Sequence, residues 1–219
     1  MTHKVFNEHY FKSRNLNDKK RVKSFRNEKN FVMPYLTSGN LLDIGCSTGE
    51  MLEIFNWDGQ MYGMEISSEA KQIAKGKGIL FDRDIFNTKD FFDVIIFRGT
   101  IQHIDTPFLY LKQSYKSLKK GGKIVFLATP NANSIYFKLW GTLPFLDLPS
   151  TNYFIPHDNW FIQAMENIGF ILVDKKYPYI NSPYSNLLLD HLKFLLKLFG
   201  VNTKFAFWGN SMDLIFKKI

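Results

Sequence analysis

Residues 41–50, which read LLDIGCSTGE, decide the fold of this 219-residue chain. An apolar run ends at Asp43, and Gly45 and Gly49 then lead into a segment with helical spacing. A parallel strand that turns through glycines into a helix brings backbone N–H groups to the carboxyl end of a sheet, where open α/β proteins bind ligands. The stretch therefore predicts a strand, a tight turn with free N–H groups and a helix at the floor of a binding site.

Strand-like and helix-like segments alternate along most of the chain. Short apolar runs rich in Ile, Val and Phe are typical of buried strands, and they lie at residues 41–44, 61–64, 79–81, 92–97, 123–128, 170–177 and 212–216. Helical signals occupy residues 50–55, 67–73, 107–118, 160–168 and 187–198. This alternation predicts an α/β fold with a doubly wound, mostly parallel seven-stranded sheet.

The composition is that of a globular protein, with 45% hydrophobic residues and a formal net charge of +8. A cluster of lysines and arginines at residues 19–26 is best explained as the solvated face of an N-terminal helix, so we expect no nucleic-acid partner. The single cysteine excludes an internal disulfide, and the first residues lack the apolar run of a signal peptide. These features favour a cytoplasmic location.

A carboxylate stands at the end of the second predicted strand. Glu65 follows Gly45 by twenty positions, the spacing at which an acid accepts hydrogen bonds from the hydroxyls of a ribose. The nicotinamide dinucleotide fingerprint Gly-x-Gly-x-x-Gly is not met by residues 45–49. The turn and the acid together indicate a nucleotide site of another kind.

In these motifs the sequence resembles the class I S-adenosylmethionine-dependent methyltransferases. The family's Asp-x-Gly-x-Gly-x-Gly loop matches residues 43–49, with Ser47 in place of the middle glycine. The stretches FDRDIF at residues 81–86, FFDVIIFRGTIQHIDTP at 91–107 and LKKGGKIVFLATPN at 118–131 follow in the family's order. The resemblance implies the methyltransferase fold and S-adenosylmethionine as the cofactor.

The resemblance also assigns the cofactor contacts. It places the cofactor against the loop after the first strand, the ends of the second and fourth strands, and the segment that follows the third strand. The residues are Asp43, Gly45, Cys46, Ser47, Gly49, Glu65, Ile66, Asp84, Ile85, Arg98 and Gly99. Asp84 would bind the adenine amino group with Ile85 beside the ring, and Asp82 is a rival for that role. Arg98 and Gly99 would border the methionine part.

Two histidines are candidates for the catalytic base. His103 lies just past the fourth strand, where a neutral imidazole could remove a proton from an acceptor hydroxyl; its alternative is a structural role in the loop. His157 precedes a helix in a stretch that resembles the acceptor-side segment of bacterial glycan and small-molecule methyltransferases. Capping of the helix, or anchoring of a lid together with Asp158, is the alternative for His157. The histidines show no metal-ligand spacing, so no metal is expected.

We interpret the chain as one domain, with an N-terminal helical cap at residues 1–37, a cofactor-binding half at 38–128, and a substrate-covering segment inserted after the fifth strand with the last strands at 129–219. The resemblance favours methyl transfer to a small-molecule acceptor, an oxygen of a sugar or glycan precursor in polysaccharide biosynthesis. A quinone-like or lipid-linked acceptor is the alternative, and so is a non-catalytic cofactor-binding partner protein. The sequence at 98–101, RGTI, lacks the tetrapeptide of DNA adenine methyltransferases.

An apolar stripe marks the segment at residues 187–198. A broad apolar stripe on this helix is formed by Leu188, Leu189, Leu192, Leu195, Leu196 and Phe199, with Lys193 and Lys197 near its border. Burial in the core or in a dimer contact is the favoured interpretation, and contact with a membrane surface is the alternative. The oligomeric state is left open between a monomer and a homodimer.

Overall fold

The computed structural model describes residues 18–36, 38–146 and 152–219. The helices are α1 (Lys19–Val32), α2 (Glu50–Phe55), α3 (Ser68–Lys75), α4 (Pro107–Ser117), α5 (Ile135–Trp140), α6 (Asp158–Ile168) and α7 (Leu187–Leu198). The strands are β1 (Leu41–Ile44), β2 (Met61–Met64), β3 (Phe92–Arg98), β4 (Leu118–Pro130), β5 (Phe170–Lys176) and β6 (Ser211–Lys218). Short 3₁₀ turns occupy Met33–Tyr35 and Ile101–His103.

The strands form one sheet in the order β2-β1-β3-β4-β6-β5. β1 pairs in parallel with β2 and β3, and β3 pairs in parallel with β4. β6 runs antiparallel between β4 and β5. The predicted α/β architecture with a mostly parallel sheet is therefore confirmed, and the carboxyl ends of β1, β2, β3 and β4 share one edge.

The prediction of seven strands is not confirmed by the described residues. The third predicted strand, residues 79–81, forms an isolated parallel bridge in which Leu80 faces Tyr62 of β2. Its two backbone hydrogen bonds join Leu80 to Met61 and Gly63. Turn residues precede this segment, and the polar residues Asp82 and Arg83 follow it. Its pairing with β2 is therefore limited to one bridge and does not extend into a strand.

Local signals explain where most of the helices begin and end. Ser67 caps α3 by accepting the N–H of Ala70, and Asn186 caps α7 by accepting the N–H of Leu189. Gly169 ends α6 in the left-handed conformation that favours glycine. α4 ends at Ser117, before the paired glycines, and Gly121 and Gly122 instead lie within an irregular stretch of β4.

The sheet is buried on both faces because strand residues alternate between two apolar clusters. Ile95 and Phe97 of β3 pack on the side of α4 and α6, whereas Val94 and Ile96 pack on the side of α1 and α2. A third cluster joins Tyr136 and Leu143 to Phe205 and Phe207, and partly buried Phe194 of α7 packs against it. We call described residues 131–146 and 177–210, which contain this cluster, the C-terminal lobe.

The predicted N-terminal helical cap and the predicted insert are described in part. α1 begins after Asp18, whose carboxylate accepts the N–H of Lys20. Residues 1–17, 37 and 147–151 lie outside the described residues. No helix in the described part of the chain is long and apolar enough to cross a membrane.

Candidate active site

The polar residues predicted for the cofactor lie along the carboxyl edge of the parallel strands. Asp43 is the penultimate residue of β1, Glu65 follows β2 directly, and Arg98 ends β3. Since β1 pairs with both β2 and β3, these three positions are brought to neighbouring strand ends. The described structure thus places together residues that are far apart in the sequence.

The turn after β1 depends on left-handed backbone conformations. Gly45 has φ 81°, Ser47 has φ 53° and Gly49 has φ 77°. A Cβ at Gly45 would lie 2.6 Å from Oγ1 of Thr100, which follows β3, so the turn is packed against the neighbouring loop. Glycine at position 45 is required both by its φ and by this close approach.

Glu65 holds the turn to the end of β2. Its Oε2 accepts the backbone N–H of Ser47 at 2.9 Å. Its Oε1 accepts the N–H groups of Ile66 at 2.8 Å and Ser67 at 2.9 Å. Three charge-assisted hydrogen bonds fix the carboxylate, and the remaining acceptor capacity of Oε2 is what a ribose hydroxyl would use.

The expectation that the turn offers free N–H groups is wrong for most of its residues. The N–H groups of Gly45 and Cys46 both donate to the carbonyl oxygen of Met64, at 2.7 and 3.2 Å. That of Gly49 donates to the carbonyl of Cys46 at 2.9 Å. The turn folds back on the end of β2, so its donors are used internally, and any ligand contact there depends on shape and on Glu65.

Cys46 is a packing residue in this structure. Its side chain is 5% exposed, and a Cβ at Gly63 of β2 would lie 2.6 Å from its sulfur. Burial raises the pKa of the Cys46 thiol, and the nearby Asp43 and Glu65 carboxylates act in the same direction. A thiol that stays protonated is a poor nucleophile, so its place in the site is to fill space beneath the turn.

Asp84 and Ile85 have different environments. Oδ1 of Asp84 accepts the N–H groups of Phe86 at 2.7 Å and Asn87 at 3.0 Å, which orders the following turn without using Oδ2. Ile85 is 1% exposed and belongs to the core cluster below. Asp82 is exposed, and so the half-buried, ordered Asp84 is the better placed of the two rivals.

The side chain of Arg98 turns toward α1. Its Nε and Nη2 donate to the two carboxylate oxygens of Glu28 at 2.7 and 2.9 Å, and its guanidinium lies 4.4 Å from the centre of the Phe25 ring. This bidentate pair fastens α1 to the end of β3. The predicted contact of position 98 with the methionine part would therefore come from its backbone, together with Gly99.

Two buried acids lie on the same face of the sheet as this ion pair. Burial raises the pKa of Asp43 to about 7, with Arg98 opposing and Glu65 and Glu28 adding to the shift. Burial also raises the pKa of Asp213 to about 7, with Glu28 adding to the shift and the N–H of Ala128 opposing it. Asp213 Oδ1 accepts that N–H at 2.8 Å. Oδ1 of Asp43 has no hydrogen-bond partner within the described residues.

His103 ends the 3₁₀ turn that follows β3. Its Nε2 lies 3.3 Å from Nε2 of Gln102. In the tautomer in which Nε2 of His103 accepts a hydrogen bond from the Gln102 amide group, the ring proton is on Nδ1 and the imidazole is neutral. The carbonyl oxygen of Gln102 accepts the N–H of Tyr153 at 2.9 Å and of Phe154 at 3.3 Å. These bonds bring the segment before α6 against the His103 turn.

His157 and Asp158 have separate roles at the start of α6. His157 is the N-cap residue but makes no side-chain capping bond, and its ring is about half exposed. Asp158 accepts hydrogen bonds from Tyr177 at 2.6 Å and Asn133 at 2.8 Å. Burial alone would raise the pKa of Asp158, but these bonds outweigh it and lower the pKa. Asp158 anchors the segment to the residue that follows β5 and to the loop after β4.

Three residues of the site were not predicted from the sequence: Glu28, Thr100 and Asp213. Glu28 lies between Phe25 and Val32 on the buried side of α1, and an acid among such apolar neighbours is the signal that it has a partner. Asp213 interrupts the apolar final strand in the same way. Thr100 carried no signal, because its contact with Gly45 depends on the pairing of β1 with β3.

Comparison with known proteins agrees with this geometry. The family model described as a methyltransferase domain matches residues 15–175. No curated protein sequence matches the chain significantly.

Solved structures of methyltransferases share the fold. A SAM-dependent methyltransferase from Thermotoga maritima has a TM-score of 0.63 at 19% identity, over 95% of this chain and 98% of its own. One from Archaeoglobus fulgidus has a TM-score of 0.60 at 20% identity, over 89% and 95%. Magnesium protoporphyrin IX methyltransferase from Synechocystis has a TM-score of 0.60 at 13% identity, over 91% and 84%. The chain belongs to the methyltransferase domain family and is a class I, S-adenosylmethionine-dependent enzyme.

Proposed function

We propose that the protein transfers a methyl group to a hydroxyl oxygen of a small-molecule acceptor, a sugar or glycan precursor. The observation that carries the proposal is the position of His103, which ends the 3₁₀ turn after β3 next to Gln102, whose carbonyl oxygen accepts the N–H groups of Tyr153 and Phe154. A hydroxyl is a weak nucleophile until a base removes its proton, whereas an amine in its neutral form needs no base.

The residues at the carboxyl edge fit S-adenosylmethionine. Asp43 has a buried carboxylate oxygen without a hydrogen-bond donor in the described residues, and such an orphan is rare unless a ligand or water completes it. A Cβ placed at Gly99 would meet no atom closer than 3.9 Å, so the backbone there is open to a ligand. We assign the ribose to Glu65, the adenine to Asp84, and the methionine part to Asp43, Gly45 and Gly99. Ile85, expected beside the adenine ring, is 1% exposed and instead packs in the core.

The cofactor supplies the activated methyl group, and the chain supplies position and a base. Glu65 and the turn after β1 fix the orientation of the cofactor, because they are tied together by the bond to Ser47. His103 accepts the hydroxyl proton at Nε2, where the acceptor hydroxyl takes the place of the Gln102 amide group, as the oxygen gains the methyl group. The Tyr153–Phe154 segment lies against this turn through its hydrogen bonds to Gln102.

A flat aromatic hydroxyl, as in a quinol, is the second candidate acceptor. Phe108, Phe154 and Trp160 form a cluster of edge-to-face rings, with centroids 5.6 to 6.1 Å apart, beside the His103 turn. Phe108 and Trp160 are 38% and 46% exposed. Such a wall suits the apolar face of a sugar ring or an aromatic ring.

The test is turnover of S-adenosylmethionine by the purified protein with three sets of acceptors: nucleotide sugars, quinols and amines. Mass spectrometry of the products locates the added methyl group. We expect O-methylation of a sugar, and O-methylation of a quinol would select the second candidate. Methylation of the amines alone would contradict the proposed chemistry.

A further inference from the structure

The carboxyl end of β4 contains a bulge. Between Phe126 and Thr129, β4 has two residues, whereas the paired stretch of β6 has only Asp213. One of the two is Ala128, whose φ is 49°. A β-carbon makes this left-handed conformation unfavourable, and such strain persists only where neighbouring groups hold it in place. The bulge is therefore a conformation that the surrounding residues maintain, and bulges are frequent beside active sites.

Asp213 is the residue that holds Ala128. Its Oδ1 accepts the backbone N–H of Ala128 at 2.8 Å. Asp213 is 3% exposed, and its neighbours on β6, Met212 and Leu214, are buried and apolar. A buried carboxyl group in such surroundings is unfavourable unless it is hydrogen-bonded. The bond to the bulge therefore satisfies the acid and opposes the strain at Ala128 at the same time.

The nearest cation does not explain why an acid stands at position 213. The Nε and Nη2 atoms of Arg98 donate to the carboxylate of Glu28 at 2.7 and 2.9 Å. In the described part of the chain, Arg98 and Asp213 form no ion pair. The N–H of Ala128 is thus the partner that accounts for Asp213.

The bulge lies directly beside Gly99. The N–H of Gly99 donates at 2.8 Å to the carbonyl oxygen of Leu127, the residue before Ala128. The atoms nearest to a Cβ placed at Gly99 are the carbonyl oxygen of Ala128 at 3.9 Å and Nε2 of Gln102 at 4.0 Å. The same Nε2 is 3.3 Å from the ring of His103. The conformation of Ala128 therefore sets one side of the opening between Gly99 and the candidate base.

We propose that Asp213 is a positioning residue for the cofactor, which acts by holding Ala128 in the left-handed conformation that shapes the opening beside Gly99. The proposal rests on the assignment of the methionine part to Gly99 under the proposed function. Without the carboxyl acceptor, Ala128 relaxes to less strained conformations, and only the remaining fraction of molecules has the opening in its binding shape. A glycine at position 128 adopts the left-handed conformation without strain, so it should make Asp213 dispensable.

The experiment is calorimetric titration of S-adenosylmethionine into the full chain and its variants. Asp213→Ala should raise the Kd about tenfold, since the strained conformation is no longer held. The double variant Asp213→Ala/Ala128→Gly should bring the Kd back to within about threefold of the wild type. Asp213→Asn, which keeps an oxygen acceptor, should retain most of the affinity.

The matched control is Asp93→Ala. Oδ2 of Asp93 accepts the backbone N–H of Asn40 at 2.8 Å, and Asp93 is near the amino end of β3, at the opposite edge of the sheet. Its exchange removes the same kind of bond away from the candidate site, so the Kd should stay at the wild-type value. Urea unfolding of each variant shows whether it is folded at the temperature of the titration.

A wild-type Kd in Asp213→Ala would overturn the proposal, and so would a loss of affinity that Ala128→Gly does not recover. If Asp213→Ala does not fold, amide hydrogen exchange of the wild-type protein decides. S-adenosylmethionine should slow exchange of the Ala128 N–H more than that of the Asn40 N–H, and equal slowing would overturn the proposal.

Failure of this proposal can be told apart from failure of the proposed function. Methylation of amines alone would contradict transfer to a hydroxyl, but it would leave the order of these Kd values unchanged. A Kd that Asp213→Ala does not change would remove the role of Asp213, and the acceptor chemistry would stand as proposed.

Discussion

The carboxylate of Glu65 accepts the backbone N–H of Ser47 at 2.9 Å and so joins the end of β2 to the turn after β1. The sequence separates these residues by eighteen positions, and each was assigned to the cofactor for its own reason. In the structure they form one unit, in which a left-handed serine is held by the acid that we assign to the ribose. Cofactor binding and the shape of the turn are therefore coupled through a single side chain.

The contact of Gly45 with Thr100 predicts a steric effect that can be separated from backbone strain. Gly45→Ala should lower the free energy of unfolding by about 2 to 4 kcal/mol, because it combines an unfavourable φ with a clash against the neighbouring loop. Gly141→Ala is the control, since Gly141 also has positive φ but has no atom within 4 Å of the Cβ position. Equal losses in urea unfolding would mean that the close approach to Thr100 has no energetic weight.

The ion pair between Arg98 and Glu28 predicts a strong, coupled effect on stability. Removal of one partner, as in Arg98→Met or Glu28→Gln, should cost about 3 to 5 kcal/mol, because the other group is left in a mostly buried place without compensation. The double variant should lose less than the sum. The pair of Lys77 with the exposed Glu53 serves as the comparison, and its loss should cost below about 1 kcal/mol. Additive losses in the cycle would contradict the pairing.

The raised pKa values of Asp43 and Asp213 predict how stability changes with pH. Each folded-state pKa, about 7, lies above the unfolded value of an aspartate, so the folded protein holds more protons between these values. The contribution of each acid is therefore full below the unfolded pKa and is lost as the pH rises toward 7. Asp213→Asn, which keeps an acceptor for Ala128, should flatten this fall in urea unfolding between about pH 4 and about pH 7. The exposed Asp82→Asn should leave the slope unchanged, and a wild-type slope in both would refute the assignment.

His103 as the base predicts a separation of turnover from cofactor binding. His103→Ala should lower kcat by about 10²- to 10⁴-fold while the Kd for S-adenosylmethionine stays the same. His157→Ala should have a smaller effect, because Asp158 makes the anchoring bonds at that helix start. His191→Ala, at an exposed position on α7, is the control. Nearly normal turnover by His103→Ala would leave this residue with a structural role.

Local patterns were sufficient for much of the fold. The ranges of β1, β2, α2 and α7 follow directly from apolar runs and caps, since each element is bounded by glycine, proline or a capping side chain. The segment at residues 79–81 could not be judged in this way, because a single bridge and a strand have the same short apolar pattern. The apolar stripe of α7 is exposed rather than buried in the core. The direction in which α7 faces was also beyond the sequence, because it depends on the contacts of Asp190 with Tyr179 and of Phe194 with Phe207, which lie before and after the helix.

A site residue could be proposed from the sequence where its position at the end of one predicted strand is itself the argument for its role. Glu65 could be named from its spacing to Gly45, and Asp84 from the resemblance of FDRDIF to the family's motif, with Asp82 as its rival. Glu28 could not, because its partner Arg98 is seventy positions away and is reached by the packing of α1 on the sheet. The use of the turn's N–H groups was missed for the same reason, since their acceptor is the carbonyl of Met64 on the neighbouring strand.

The most direct test of the cofactor site is calorimetric titration of S-adenosylmethionine into the wild-type protein, Glu65→Ala and the control Asp58→Ala, an exposed acid at the opposite edge of the sheet. We expect one site per chain and a loss of about 1 to 3 kcal/mol of binding free energy in Glu65→Ala, because the ribose loses a charged acceptor and the turn loses its hydrogen bond to Glu65. Asp58→Ala should bind as the wild type does. The same affinity in all three proteins, or no binding by the wild type, would contradict a cofactor site at Glu65.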